Sequence, residues 1–159
     1  MVLVFLLASL ALATPLSQAL QTGNCQAALS LSETVASPSQ ELAIAKCRLA
    51  NGETRSALRS FQELEKNPQL LPYARYLHAE AAYVNEDYEK TAELLRMEFP
   101  FSSQSRRKVA LLRGKALIQS GEHIAGRDSL RPILDSKVAA QAFIPDPMDA
   151  DPAETRWWL

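Results

Sequence analysis

In "NGETRSALRSF", Asn51 to Phe61, a turn-forming Asn-Gly pair leads into apolar residues at helical spacing, which predicts a turn followed by a helix. A similar pattern recurs twice, as "NEDYEKTAELL" at 85–95 and as "SGEHIAGRDSL" at 120–130. Aligning these turns on Gly52 adds three matching positions with spacings of 29, 34 and 35 residues, namely Gly23, Glu86 and Gly121. A period in this range predicts an array of short supersecondary repeats.

Two further positions recur inside each copy. The fifth residue after each turn is small, and these residues are Ala28, Ala57, Thr91 and Gly126. The ninth residue after the turn is large and apolar in three copies, as Phe61, Leu95 and Leu130. In the remaining copy it is Ser32. Positions four apart share one helix face, so the small residue lets two helices approach closely and the large one fills the remaining gap. Each copy therefore predicts the turn and second helix of a helix-turn-helix unit.

The first helices of the units also have a clear pattern. The segments 41–50, 73–84 and 107–119 are rich in good helix formers, with apolar residues every three or four positions. Prolines fall between the predicted units, at Pro38, Pro68, Pro72 and Pro100. A proline ends one helix and is tolerated where the next begins, so these residues predict the joints between units.

Composition and charge narrow the class of protein. Hydrophobic residues make up 47% of the 159 residues and there are only five glycines, which favours an ordered helical protein. The 17 basic and 18 acidic residues are spread along the chain. Because a nucleic-acid-binding domain normally concentrates basic residues on one surface, we expect no nucleic-acid partner.

The repeat spacing, the small residue in each second helix, the Gly-Glu or Glu-Asp turns and the terminal prolines resemble the tetratricopeptide repeat over residues 15–136. The resemblance implies an all-α fold, a right-handed superhelix of antiparallel helical hairpins with about three full repeats and a partial one. Glu86, Thr91 and Gly126 depart from the usual residues, and Pro132 is expected to kink the last helix. Sel1-like or other helical-hairpin repeats are the alternatives.

The N-terminus is typical of an export signal. Residues 1–13 are an apolar run with Ser9 as its one polar residue, shorter than the roughly 20 residues that a membrane-spanning helix needs. The small residues Ala11 and Ala13 precede Pro15, which predicts a signal peptide over 1–13 with cleavage near Ala13. The run lacks a preceding Lys or Arg, so a short membrane anchor or the first helix of a cytosolic repeat protein remains an alternative.

The repeat pattern stops near Val138. Residues 137–150 form a predicted Pro- and Asp-rich linker, and "DPAETRWWL" at 151–159 begins with a helix-start signal. Trp157 and Trp158 would be a large apolar surface at a chain end. We therefore expect 151–159 to be the start of a further helix that normally continues.

Few residues suggest chemistry. His78 and His123 have no helical neighbours that would complete a metal site, so both are expected to be ordinary helix residues. Glu63 and Glu65 have the spacing of surface carboxylates, with no sign of an acid-base pair held apart in a cleft. We predict no catalytic, metal or cofactor-binding residues, and hence no enzymatic activity in this chain.

Cys25 and Cys47 could form a disulfide. In a repeat array, the second helix of one unit packs antiparallel to the first helix of the next, which would bring the start of one helix near the end of the other. Cys25 opens a predicted second helix and Cys47 lies late in the following first helix. Export would place the pair in an oxidising compartment. The alternative is two small buried residues of a cytosolic protein.

A stripe on one helix predicts a partner-binding surface. Tyr73, Tyr76, Glu80 and Tyr83 lie at i, i+3, i+7 and i+10, flanked by Lys46 and Lys115 on the neighbouring first helices. Tyrosines suit recognition because they bury a large area at little entropic cost. The alternative is that these tyrosines pack between helices, above all Tyr83 and Tyr76.

An export signal, hairpin repeats and a helix start near the C-terminus together resemble the N-terminal superhelical region of soluble lytic murein transglycosylases. The resemblance implies a periplasmic or secreted scaffold that positions a protein partner, a downstream catalytic domain or peptidoglycan. The family's catalytic Glu-Ser pair does not occur in this sequence, so no catalytic residue is assigned. The alternative is a stand-alone periplasmic adaptor that assembles an envelope complex. Membrane contact is expected only through an uncleaved N-terminal segment.

Overall fold

A computed structural model describes residues 15–134, and within that range the chain is all-α. The described part contains eight α-helices, a short 3₁₀ helix at Ser32–Thr34, and no strand. The α-helices are α1 Pro15–Gln21, α2 Cys25–Ser30, α3 Pro38–Ala50, α4 Thr54–Leu64, α5 Leu71–Val84, α6 Tyr88–Leu94, α7 Ser103–Gln119 and α8 His123–Leu134. The predicted signal peptide, linker and C-terminal helix start lie outside the described residues.

All four repeat turns have the same backbone geometry. The aligned residues have positive φ angles, which are +70° at Gly23, +82° at Gly52, +61° at Glu86 and +90° at Gly121. At the second turn, the amide of Gly52 donates to the Leu49 carbonyl at 3.1 Å and the amide of Glu53 to the Arg48 carbonyl at 2.8 Å. Equivalent bonds close the other three turns. This is the Schellman ending of a helix, which needs a left-handed residue and so favours glycine.

The fifth residue after each turn is buried in every copy. Ala28, Ala57 and Thr91 are 0% exposed, and Gly126 is also buried. A Cβ on Gly126 would lie 2.6 Å from Ile118 Cγ1 and 3.0 Å from the Gly114 carbonyl oxygen. Helices α7 and α8 therefore approach so closely that only hydrogen fits at this position.

The ninth position differs among the copies. Phe61 and Leu95 are fully buried, and Leu130 lies over Gly114. Ser32, by contrast, lies in the 3₁₀ helix because α2 already ends at Ser30. The first copy therefore lacks the large buried residue that follows the small one elsewhere.

The first helices of the units begin earlier than predicted. Ser37 caps α3 by accepting a hydrogen bond from the Gln40 amide at 3.2 Å, and Pro38 occupies the first helical turn. Pro72 lies likewise in the first turn of α5. These two prolines therefore mark the joints as predicted, but they belong to the first turn of the following helix. The first turn has no hydrogen-bond partner for its amides, so proline fits there at little cost.

Each part of the core lies between one helical hairpin and the next helix. One buried cluster joins α1, α2 and α3, a second joins α3, α4 and α5, and a third joins α5, α6 and α7. Helices α1, α3, α5 and α7 also contact one another in succession. Every hairpin thus buries an apolar face against its neighbour.

Candidate partner-binding surface

The predicted stripe on α5 gathers charged and aromatic side chains from three helices. Tyr76 and Glu80 are one helical turn apart, and the Tyr76 hydroxyl donates a hydrogen bond to the Glu80 carboxylate. The ammonium groups of Lys46 on α3 and Lys108 on α7 lie close enough to act on the same carboxylate. We call Tyr73, Tyr76, Glu80, Lys46 and Lys108 the α5 surface.

The Glu80 carboxyl is the electrostatic centre of the α5 surface. Burial raises the pKa of Glu80, because the ionised form loses hydration. The hydrogen bond from Tyr76 and the charges of Lys46 and Lys108 act in the opposite direction, but burial is the larger effect. The Glu80 carboxyl thus experiences the charges of two lysines in a partly desolvated place, where electrostatic interactions are stronger than in bulk water.

The lysine contributed by α7 is not the one predicted. The repeat alignment places Lys46, Glu80 and Lys115 at equivalent positions of three first helices. Lys115 is exposed, and the α7 charge that acts on Glu80 belongs to Lys108, two turns nearer the N-terminus. Lys108 and Lys115 are seven residues apart and share a helix face. The repeat alignment predicts which face of α7 carries the lysine. It does not predict which residue along the helix axis lies next to Glu80.

The tyrosines of the stripe have different surroundings. The Tyr73 ring is half-buried and packs against Phe101 at a centroid distance of 5.2 Å. Tyr76 is 7% exposed and belongs to the core between α5, α6 and α7. The Tyr83 ring meets Tyr88 edge-on at 5.3 Å. The packing alternative therefore describes Tyr76 and Tyr83, and Tyr73 is the tyrosine best placed to meet a partner.

A second polar cluster was missed by sequence reasoning. The side chain of Glu65, predicted to be a surface carboxylate, is only 14% exposed, so that prediction is wrong. Its Oε2 accepts a hydrogen bond from Arg75 Nε at 3.0 Å, and its Oε1 lies 2.6 Å from His78 Nδ1. Arg75 Nη1 also lies 3.5 Å from Met97 Sδ. The cluster links the end of α4 to α5 and to the segment after α6.

The sequence carries only a weak signal for this cluster. Arg75 and His78 are three residues apart and so share a helix face, but Glu65 lies ten residues before Arg75. Glu65 is the C-cap of α4, and the chain turns there before α5 begins. Only that turn brings the carboxylate against Arg75 and His78.

Cys25 and Cys47 form a disulfide in the structure, with a Cα–Cα distance of 5.1 Å. Cys25 is the first residue of α2, and Cys47 lies in the last turns of α3 among the buried residues shared by α1, α2 and α3. The bond therefore ties the first hairpin covalently to the second.

Other kinds of site find little support in residues 15–134. Within that range no group of three or more His, Cys, Asp or Glu side chains could hold a metal ion. His123 is exposed at the first position of α8.

None of the described helices is both long enough and apolar enough to cross a bilayer.

Comparisons with known proteins identify no similar protein. No protein-family model matches the chain, and neither a curated protein nor a solved structure matches it. The class that the fold defines is thus an all-α protein of successive packed helices.

Proposed function

We propose that this chain is a non-catalytic scaffold of tetratricopeptide-like hairpins that binds a protein or a glycan in the cell envelope. In this proposal the hairpins form a right-handed superhelix, and the chain is the N-terminal part of a peptidoglycan lytic transglycosylase. The catalytic residues of such an enzyme would belong to a separate domain. The observation that carries the proposal is the repeated turn, with the same positive φ and the same two hydrogen bonds four times at near-constant spacing.

The repeated turn supports a scaffold because it makes each hairpin depend on its neighbours. A single helix-turn-helix unit cannot bury its apolar face, and stacked units bury it together. The three core clusters, each shared between a hairpin and the following helix, have the arrangement that such stacking requires. Stacked hairpins present a continuous surface of first helices, which is where repeat proteins bind partners.

The α5 surface is the part of the scaffold best suited to binding. It combines an aromatic ring, a hydroxyl, a carboxylate and two ammonium groups from three successive first helices. Tyrosine side chains are enriched among binding hot spots. Two cations against one carboxylate also favour a partner with acidic or hydroxyl-rich groups.

The Cys25–Cys47 disulfide is compatible with export. Disulfides persist in the periplasm and outside cells, and the cytosol keeps most thiols reduced. An exported scaffold would lie in the same compartment as peptidoglycan. Cell fractionation followed by N-terminal sequencing tests this part, because an intact Met1 on soluble cytosolic protein contradicts export.

Co-sedimentation with isolated peptidoglycan tests the binding function. The full chain should sediment with peptidoglycan, and Lys46→Ala should weaken binding about tenfold through the loss of one charge-assisted contact. Lys66→Ala is the matched control, because Lys66 pairs with the exposed Glu63 and is not part of the α5 surface. Thermal unfolding of each variant checks the fold, and Lys108→Ala replaces Lys46→Ala if the latter unfolds.

A protein partner is tested by cross-linking in an envelope extract. A specific partner is one that wild type and Lys66→Ala capture and Lys46→Ala does not. If neither peptidoglycan nor any such protein binds, the binding proposal is wrong.

The genomic sequence that follows the codon for Leu159 distinguishes an enzyme scaffold from a stand-alone adaptor. A lysozyme-like segment with a Glu-Ser pair supports the former, and a stop codon supports the stand-alone adaptor.

A further inference from the structure

A polar groove lies between the first two hairpins, away from the α5 surface. Its volume is about 480 Å³, and it is bounded by α2, the 3₁₀ helix, the end of α3 and one face of α4. The polar residues that line it are Ser32, Arg48, Glu53, Ser56, Arg59 and Ser60. None of them belongs to α5, so the groove is independent of the surface proposed above.

One face of α4 supplies most of the groove. Ser56, Arg59 and Ser60 stand at i, i+3 and i+4, so their side chains project from the same side of the helix. Opposite them stands Ser32, which the 3₁₀ helix after α2 brings to the groove. The groove thus offers two guanidinium groups and the hydroxyls of Ser32 and Ser56 as hydrogen-bond donors, because Ser60 donates its one hydroxyl proton to Glu41.

Arg48 is held in place by other residues of the protein. Its Nη1 donates to Glu41 Oε1 at 3.0 Å and to Ser60 Oγ at 2.9 Å. Ser60 Oγ in turn donates to Glu41 Oε1 at 2.6 Å. A guanidinium fixed in this way loses little conformational entropy when it binds a ligand, so the groove is preorganised on this side.

The charge of Arg48 is balanced by the Glu41 carboxylate, whereas the charge of Arg59 is not balanced by an ion pair within residues 15–134. Arg59 is exposed, and it forms no ion pair with any carboxylate of residues 15–134. Its helical neighbour Glu63 pairs with Lys66 at 2.6 Å. Glu53 lies at the rim, where its Oε1 accepts a hydrogen bond from Asn51 Nδ2 at 2.9 Å. The positive charge of Arg59 therefore lies at a groove that also contains the hydroxyls of Ser32 and Ser56.

We infer that this groove binds an oxyanion, a carboxylate or a phosphate carried by a polar ligand, between the guanidinium groups of Arg48 and Arg59. Planar guanidinium groups bind both anions through paired hydrogen bonds, and the hydroxyls of Ser32 and Ser56 supply further donors to the remaining oxygens. Glu53 opposes binding, since its carboxylate repels the ligand from the rim.

Nuclear magnetic resonance titration of the full chain tests the inference. Sodium phosphate and sodium acetate are the two probes, each compared with sodium chloride at the same ionic strength. We expect saturable shifts of the Ser56, Arg59 and Ser60 amides. Earlier saturation by phosphate identifies a phosphate ligand, and earlier saturation by acetate identifies a carboxylate.

Three variants on α4 and its N-cap test how individual charges affect anion binding. Arg59→Gln should weaken anion binding about tenfold, and Glu53→Gln should strengthen it by a few fold because the repulsion is removed. Arg55→Gln is the matched control, an exposed arginine of the same helix that does not line the groove. Shifts that do not saturate with either anion overturn the inference. Equal weakening by Arg55→Gln and Arg59→Gln overturns it too, and neither result affects the α5 surface.

Discussion

Cys25 and Cys47 join the start of α2 to the last turns of α3, across 22 residues of chain. The first hairpin consists of two helices of seven and six residues. Helices this short are unstable by themselves in water. The first hairpin therefore depends on its neighbour, both through the apolar contacts of Leu16 and Leu20 and through the disulfide.

Breaking this disulfide should loosen the first hairpin. We expect Cys25→Ala/Cys47→Ala to lower the free energy of unfolding by roughly 3 kcal/mol, from the chain entropy of the loop it closes. Hydrogen exchange should rise most in residues 15–34. Reduction of the wild type by dithiothreitol is the matched comparison and should give the same pattern. Unchanged exchange in that segment after reduction would show that apolar packing alone holds the hairpin.

Glu86→Gly should stabilise the protein. Glu86 is exposed and has the left-handed φ of +61° that three glycines adopt at equivalent turns. A side chain in this conformation destabilises the folded state by about 1–2 kcal/mol, and glycine removes this strain. Glycine also raises the entropy of the unfolded chain, which offsets part of the gain. We expect a net gain of about 0.5–1 kcal/mol in chemical denaturation.

The control for this substitution is Glu89→Gly, three residues further along in α6. There the backbone is helical, so glycine should cost about 1 kcal/mol. Destabilisation by both substitutions would contradict the account of the turn.

Glu65→Gln should destabilise the protein. It removes the negative charge that compensates Arg75 and leaves a partly buried guanidinium with a weaker acceptor. We expect a loss of roughly 1.5–3 kcal/mol, the range for hydrogen bonds to charged groups. Glu63→Gln is the matched control, since its pair with Lys66 is exposed and contributes below about 1 kcal/mol. Similar losses in the two variants would mean that the Glu65 cluster contributes no more than a surface pair.

The burial of Glu80 predicts a pH dependence of stability. Because burial raises its pKa in the folded protein, the folded state holds this proton to a higher pH than the unfolded state does. The contribution of Glu80 to stability is therefore largest at acid pH and falls as pH rises from the ordinary glutamate pKa through the raised value. The Glu80→Gln variant, which cannot ionise, should lose this dependence.

Denaturant unfolding at pH 4 and pH 7 measures this effect. The free energy of unfolding of Glu80→Gln minus that of wild type should be larger at pH 7 than at pH 4. The exposed Glu98→Gln is the control for a change of net charge. If the difference between Glu80→Gln and wild type is the same at both pH values, the ionised form of Glu80 is not penalised in the folded protein.

The helical character of the described residues could be predicted from the sequence because its causes are local. Gly23, Gly52 and Gly121 favour the left-handed turn by themselves, and apolar spacing defines the buried side of each helix. The small residues at Ala57 and Gly126 mark where two helices touch, since their size alone permits close approach. Even Glu86 could be placed in the turn, because the spacing from its neighbours specifies the position.

Interactions between helices could not be predicted in the same way. Lys108 was missed because the repeat alignment matches positions along helices and does not reveal how far one helix is shifted against another. Glu65 was misjudged because a charged residue near a helix end is usually solvated, and only its packing against α5 shows otherwise.

The amino-acid sequence was thus sufficient to predict that the described residues are helical, where the hairpins turn and which side of each helix is apolar, because backbone conformation and hydrophobic periodicity depend on residues within a few positions. Packing between helices was needed to show that Glu80 meets Lys108 and that Arg48 meets Ser60. Such contacts join residues far apart in the chain, and they exist only once packing has set the distances between helices.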